Sequence, residues 1–471
     1  MLANLPKPLL AIAHGLALAV LFVTFGGVIF NLSVDLAAHY ELVNEIMKHG
    51  YVRPEATYLG PMMMYPNLSH WIAAVFGWLT GSGLIALGLL CIAAIYIGYF
   101  AVLSALGRDG SIASLVLFAI IFAFLNKSHS LMGHEVVRNF FYPQLIGFVV
   151  YIVAISVAIN KQLSSAKIAA AALALNATLF LIQPIAGVHL TGAVICFLAL
   201  ETLCLYVTTR QFRLANVGLI FVIAIEALLL ARLPKAAALI SYSANNGALG
   251  FEFPGHAYAI PFIICAAVSV ANLTLGARLW PNGMAHRLFG AAGTAAALLM
   301  LMQLVAWVAF KGGSPYAVKK HGFFLVTFGV INLAQLLGCF VPKVQNQLIR
   351  FCTAVVLAFF ITFEICASNN AANTVDVISA QRFANNFVET SPDFSPQEVS
   401  SHLNSLHPTL NLLIQLSSFE RDTNAVQSYG ELDVTARYVM IDRTDLLSTS
   451  CAVAQNSKYA IVPPNCVKSG R

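Results

Sequence analysis

The stretch NLSVDLAAHYELVNEIMKHG, residues 31–50, follows the first long apolar run without a break. A turn between two membrane spans needs only a few polar residues. This stretch instead carries Asp35, His39, Glu41, Glu45, Lys48 and His49 on a segment of helical periodicity. Leu36, Tyr40, Val43 and Met47 form one stripe, and Glu41, Asn44, Glu45 and Lys48 cover the opposite side. That is the pattern of an amphipathic helix lying at a lipid–water boundary.

Composition supports a bilayer setting. The chain has 471 residues, of which 59% are hydrophobic and 10% charged, and its mean hydropathy is +0.79. A soluble domain carries roughly a quarter of its residues as charges. The fold class expected is an all-α polytopic membrane protein. Its opening, MLANLPKPLLAIAHGLALAVLFVTFGGVIF, has an apolar run too long for a signal-peptide core of about 7–15 residues, so it reads as an uncleaved first span. A span needs about 20 apolar residues. Eleven are expected, at 9–31, 84–106, 111–126, 143–160, 168–186, 188–209, 214–232, 257–277, 288–310, 323–342 and 351–367.

The connections alternate. One set is short and basic, holding Lys7, Arg108, Lys161 with Lys167, Arg210 with Arg213, Arg278 with Arg287, and Lys343 with Arg350. The other set is long and mixed, at 32–83, 127–142, 233–256, 311–322 and the tail. The positive-inside rule puts the short set and the N-terminus in the cytoplasm and the tail outside, which fits a bacterial inner (plasma) membrane. The net charge of +6 therefore reports topology and not nucleic acid. Within the first outer connection, YPNLSHWIAAVFGWLTGSG (65–83) sets Leu68, Trp71, Ile72, Val75, Trp78 and Leu79 at helical spacing. It reads as a second interfacial helix, because a crossing there would turn every later basic loop outward.

The two expected domains are 1–367, the transmembrane part, and 368–471, a small α/β domain outside the cytoplasm. RYVMID and KYAIVP read as strands, and SPQEVSSHLNSL as a helix starting at Ser395 with Pro396 in its first turn. Seven of the nine cysteines lie in apolar spans, while Cys451 and Cys466 lie in the tail, where a pair outside the cytoplasm suggests a disulfide.

Ionisable residues gather in the outer connections. No Lys or Arg lies in the interior of a span, and the acids there are Glu201, Glu226 and Glu364, each read as a satisfied intramembrane glutamate. No phosphate-binding loop or nucleotide-binding glycine motif occurs. Outside lie Asp35 and His39, then His134, Glu135 and Arg138, then Lys319, Lys320 and His321. Cations at the lipid boundary suit an anionic headgroup or a pyrophosphate. Taken singly, the lysines read equally as snorkelling span ends and Asp35 as a helix N-cap. Gln183 and His189, flanking Pro184, read as packing groups.

Asp35 and His39 in SVDLAAHYELVNEIMKHG, followed by Tyr65, Pro66 and His70 in MYPNLSHWIAAVFGWLTG, make the sequence resemble the GT-C superfamily of membrane glycosyltransferases. VVRNFFYPQ and SPYAVKKHGF stand where basic outer-loop segments of such enzymes occur. The motif covers residues 32–83 and the general plan most of the chain. Many relatives carry a paired acid, but Leu36 follows Asp35 here, so a divalent metal is not supported; many carry Tyr-Pro-Pro, but Asn67 follows Pro66.

The resemblance implies a hexosyl- or pentosyltransferase of cell-envelope glycan biosynthesis. Its donor would be a polyprenyl-phosphate sugar, and its acceptor a glycan, lipid or protein hydroxyl. Transfer would be a single inverting displacement. In chemical terms Asp35 is the candidate general base. Arg138, Lys319 and Lys320, with His134 and His321, are candidates for the donor phosphate. His39, Glu135, Tyr65, His70 and Tyr316 are candidate substrate contacts. A polymerase or ligase of lipid-linked glycans and a lipid or solute transporter are the alternatives.

Overall fold

The computed structural model describes residues 7–26, 34–109, 112–126, 131–242, 259–279, 283–341, 346–367, 374–421 and 432–468. In chain order its helices are α1 (Lys7–Phe25), α2 (Val34–His49), α3 (Leu68–Thr80), α4 (Gly83–Asp109), α5 (Ile112–Leu125), α6 (His134–Asn139), α7 (Tyr142–Lys161), α8 (Ser165–Ile182) and α9 (Pro184–Thr209). They continue with α10 (Leu214–Ala231), α11 (Pro234–Tyr242), α12 (Ala259–Leu279), α13 (Met284–Phe310), α14 (Pro315–Gly338), α15 (Gln347–Ala367), α16 (Thr374–Thr390) and α17 (Pro408–Phe419).

Each of the eleven expected spans corresponds to one apolar helix. Eight of these, α4, α7, α8, α9, α10, α13, α14 and α15, are long and apolar enough to cross a bilayer, and α1, α5 and α12 contribute the shorter apolar stretches Leu10–Phe25, Ile112–Leu125 and Ala259–Leu275. One boundary differs in a way that matters. The sequence reads 311–322 as a connection, yet α14 begins at Pro315. Ser314 caps it by accepting a bond from Ala317 N at 3.2 Å, and proline is preorganised for the first helical position. Lys319, Lys320 and His321 thus ride on the first turns of a helix.

Helices α12, α13 and α14 pack through a polar cluster in an otherwise apolar bundle. Asn272 donates to Asn332 at 2.6 Å and to Gln335 at 2.8 Å, and its oxygen meets His286 Nδ1 at 2.7 Å. Asn332 donates to Ser269 and to Phe289 O. In hydrocarbon each such group must find a partner, so the cluster specifies which helices meet. Gly290 permits the approach, since a Cβ there would lie 2.6 Å from Leu273 N and 2.7 Å from its Cα.

The expectation that α2 is a surface helix is overturned. Its apolar stripe is buried, but so is its polar side: Glu41 and Glu45 are 1% exposed and Asn44 8%. The chain after α15 covers it. There α16 and α17 pack with a four-stranded sheet of order β1-β2-β4-β3, where β1 is Val399–His402, β2 Tyr438–Asp442, β3 Ala454–Gln455 and β4 Tyr459–Val462. β1 and β2 are parallel, and the other two pairings are antiparallel.

The two strands read from the sequence coincide with β2 and β4. The helix expected from Ser395 does not form. A three-residue 3-10 turn, Pro396–Glu398, runs straight into β1, whose ladder with β2 claims the backbone. Asn411 of α17 then clasps Leu403 N and O, each at 2.9 Å. Cys451 and Cys466 are joined in a disulfide.

Helix α3 keeps its large apolar residues outward, with Leu79 77% and Trp78 47% exposed. Its small and polar side, Ser69, His70, Ala73, Ala74 and Gly77, is buried. At 13 residues it reaches roughly 20 Å, short of a hydrocarbon core of about 30 Å.

Gly290→Ala is expected to destabilise the bundle by about 1–3 kcal/mol, because backbone atoms of α12 must retreat. Gly218→Ala on α10, where nothing lies within 4 Å of the new methyl, should be neutral or stabilising by up to about 1 kcal/mol. Thermal unfolding of both variants in one detergent checks the contrast.

Candidate functional site

Asp35 and His39 are four residues apart on α2 and therefore share a face. That face meets the start of α3, the turn before it, the N-terminus of α7 and the first turns of α14. The His39 ring nitrogen Nδ1 lies 2.9 Å from His70 Nε2, both rings buried. Tyr65 packs edge-on against both imidazoles, at 5.4 and 5.8 Å between centroids. Tyr142 OH holds the first turn of α3 by donating to Ser69 O at 2.9 Å.

On the far side is Lys320. Its ammonium lies 4.4 Å from the Tyr316 ring centre and 4.8 Å from that of Phe141, which together hold it by cation–π attraction. Its backbone carbonyl accepts from Gln144 Nε2 at 3.4 Å. Asp35, Tyr65, Tyr316, Lys319, Lys320 and His321 are all partly accessible, while His39 and His70 behind them are buried.

The electrostatics follow from burial and two lysines, Lys320 and Lys235. Burial raises the Asp35 carboxyl to about 6, and the positive charge of Lys320 limits that rise. The same two influences, burial and then Lys320, push His39 down to about 3. His70 lies well below the ordinary imidazole range through burial, its neighbour His39 and the charge of Lys235. The two histidines are thus a neutral pair in which one ring donates to the other. Tyr65 is raised by burial and by Asp35, with a compensating hydrogen bond from Gln183.

Three contributors lie outside the expected set. Gln183 stands at the α8–α9 junction and reaches Tyr65. His189 Nε2 lies 3.0 Å from His321 Nδ1, and its ring stacks on Phe324 at 3.9 Å. The sequence reads both as packing groups, yet they touch Tyr65 and His321 of the candidate site. The available signal was Pro184, which ends α8 and opens α9 at the end of the bundle where the site lies. The third, Lys235, opens α11 directly after Pro234 and is half-buried, with its ammonium pKa lowered by burial.

Two expected residues are placed elsewhere. His134 is fully buried, with Nε2 2.6 Å from Asn126 Oδ1, Nδ1 3.2 Å from Leu131 O, and Phe122 on its face. Glu135 is fully buried too, accepts from Gly133 N, and is raised to about 8 chiefly by burial. Both residues face the packing of α4, α5 and α15, against which the short α6 is folded. The Arg138 side chain lies outside the described residues. Among the described residues no three His, Cys, Asp or Glu side chains converge as a metal site would require.

The span glutamates are engaged as expected. Glu201 accepts from Arg287 at 2.9 Å and Ser165 at 2.6 Å, Glu226 from Asn176 at 3.0 Å, and Glu364 from Asn126 at 3.3 Å.

No family model matches the sequence, and no curated protein does. Among solved structures the chain is similar to the crystal structure of ArnT from Cupriavidus metallidurans bound to undecaprenyl phosphate, at 13% identity and a TM-score of 0.44, with 99% of each chain covered. It is likewise similar to ArnT from Cupriavidus metallidurans in the apo state, at 12% identity and a TM-score of 0.45, again with 99% of each chain covered.

A histidine held neutral in the fold binds fewer protons than it does unfolded. Below its ordinary value of 6.5, each pH unit therefore costs the native state about 1.4 kcal/mol until the folded pKa is reached. His70→Gln removes that penalty. The stability gap between wild type and this variant is expected to narrow by about 2 kcal/mol from pH 7 to pH 5, read by chemical unfolding at each pH.

Proposed function

We propose that this chain is a membrane-embedded glycosyltransferase that takes a sugar from a polyprenyl-phosphate donor. The acceptor is a hydroxyl at the outer face of a bacterial inner membrane, with the N-terminus inside and the C-terminal α/β unit outside. The observation that carries this reading is the meeting of one carboxylate and one ammonium, Asp35 and Lys320, from helices far apart in sequence, at one polar end of an apolar bundle. The short basic connections at the opposite end support the orientation.

Asp35 acts as general base. With its pKa near 6 it is ionised at neutral pH, yet it holds a proton more tightly than an ordinary carboxylate. It takes the acceptor hydroxyl proton as that oxygen attacks the anomeric carbon. The bond from that carbon to the phosphate oxygen breaks in the same step, and the electron pair leaves with the lipid phosphate. Attack opposite the leaving group inverts the anomeric centre.

Lys320 meets the charge that develops on the phosphate. The rings of Phe141 and Tyr316 hold the ammonium in place, so little reorganisation is needed when the bond breaks. Lys319 and His321 flank it on α14, and Arg138 belongs to the same proposed donor set. Tyr65, Tyr316 and the neutral His39–His70 pair offer faces and hydrogen bonds to sugar hydroxyls. His134 and Glu135, being packed inside, drop out of the site. No step requires a metal ion.

Asp35→Asn is expected to lower turnover by at least about 10²-fold while the donor still binds. Lys320→Gln should cost about 10²-fold as well, and should move the acid limb of the pH–rate profile upward from about 6, because Lys320 is what restrains the Asp35 pKa. Both are read from release of polyprenyl phosphate from labelled donor in proteoliposomes containing a membrane extract as acceptor. Wild-type transfer by Asp35→Asn would refute the assignment. Undiminished lipid or solute movement by that variant, without transfer, would favour a transporter.

A further inference from the structure

Helix α2 reaches Asp35 from a grip on its other end. Tyr40, Asn44 and Lys48 are spaced at four-residue intervals, so they line one stripe. All three bond to the chain after α15. Tyr40 OH donates to Gln381 Oε1 of α16 at 2.7 Å. Asn44 Nδ2 and Lys48 Nζ both donate to Ser417 O of α17, at 2.6 and 2.9 Å. That carbonyl belongs to the last turn of α17, where helix carbonyls lack intrahelical partners and the dipole favours a cation.

Glu420 caps the same turn in the left-handed region, at φ 48°. Its carboxylate lies 3.7 Å from Lys48 and 3.6 Å from Arg53. Arg53 in turn holds the buried Glu45 on α2 at 2.8 Å. α17 is itself fixed to β1, since Gln415 donates to Ser401 O at 2.9 Å and Asn411 clasps Leu403. On the opposite side α2 rests on Gly83 at the start of α4, where a Cβ would lie 2.9 Å from Met47 Sδ and 3.0 Å from Val43 Cγ1.

We infer that Gln381 and Glu420 are positioning residues for Asp35, and that the C-terminal α/β unit is one jaw of a clamp that sets α2 against α14. The inference rests on reading Asp35 as the base. The base and its cation sit on separate helices, α2 and α14. Their separation therefore depends on what presses α2 into place. The jaws are the α16–α17 surface on one side and α3 with α4 on the other. Loosening the first jaw lets the helix carrying Asp35 move toward water while leaving Lys320 and its aromatic rings untouched.

The test uses the full-length protein in nanodiscs, with Gln381→Leu, Glu420→Gln and the double variant. Amide exchange across residues 34–49 is expected to quicken at least tenfold, with no change across 284–310 in α13. Turnover should fall at least tenfold with the donor KM within threefold of wild type. The acid limb of the pH–rate profile should move down from about 6 toward the ordinary carboxylate range as Asp35 gains water. Glu420→Asp should restore most of the exchange protection. Arg437→Ala, which removes an exposed pair with Glu398 inside the α/β unit, serves as the control that leaves all readouts at wild type.

Unchanged exchange across 34–49 would overturn the clamp, and so would equal quickening in α13, which would mean general loosening. If Asp35→Asn retains transfer, the base assignment fails by itself, and the exchange measurement still decides whether the α/β unit grips α2.

Discussion

Helix α2 carries two carboxylates, Glu41 and Glu45, into a place with almost no water, and sets Asp35 and Lys48 at its margins. A buried charge without partners is too costly to keep. Every part of the structure around α2 can be read as an answer to that constraint. Glu45 is pushed up by burial, but bonds from Arg53 and Tyr58 outweigh this and hold it below the ordinary carboxylate range. Lys48 and Asn44 are met by the end of α17. At the other end of the helix, Asp35 has the charge of Lys320, supplied from across the bundle.

The same scarcity of water sets the electrostatics of the candidate site. In a medium of low dielectric, one ammonium affects every group around it. Lys320 restrains the rise of Asp35 and helps to keep His39 neutral. The rings of Phe141 and Tyr316 hold that ammonium without neutralising it, as a carboxylate at contact distance would. The histidine pair behind Asp35 is polar but uncharged. The cation's field thus reaches the accessible side, where the proposed donor would place its phosphate.

Elsewhere in the bundle, polar groups answer to packing. The cluster of Asn272, Asn332, Gln335, Ser269 and His286 is buried and mutually bonded, and it selects the neighbours among α12, α13 and α14. Glu201 is bound by Arg287 and Ser165 at the basic end. These groups differ from the site in a simple way. The amide cluster is buried among its partners and Glu201 is held by two of its own, while Asp35 and Lys320 are left partly accessible.

Much of this was written along the chain. The eleven apolar runs determined the helices, because period and length are local properties. RYVMID and KYAIVP determined two strands for the same reason. Asp35, Tyr65, His70 and Lys320 stood out because charge and aromaticity at span ends are visible without coordinates. The tertiary structure alone decided what faces them. Four-residue spacing described the polar side of α2 but not that α17 would cover it, since that partner lies more than 350 residues away. Gln183 and His189 looked like packing groups until the α8–α9 junction met Tyr65 and α14. His134 and Glu135 looked available until α6 folded inward. A residue's type and neighbours in sequence set its chemistry, whereas its pKa and its partners depend on burial and on distant charges, which exist only after the chain has folded.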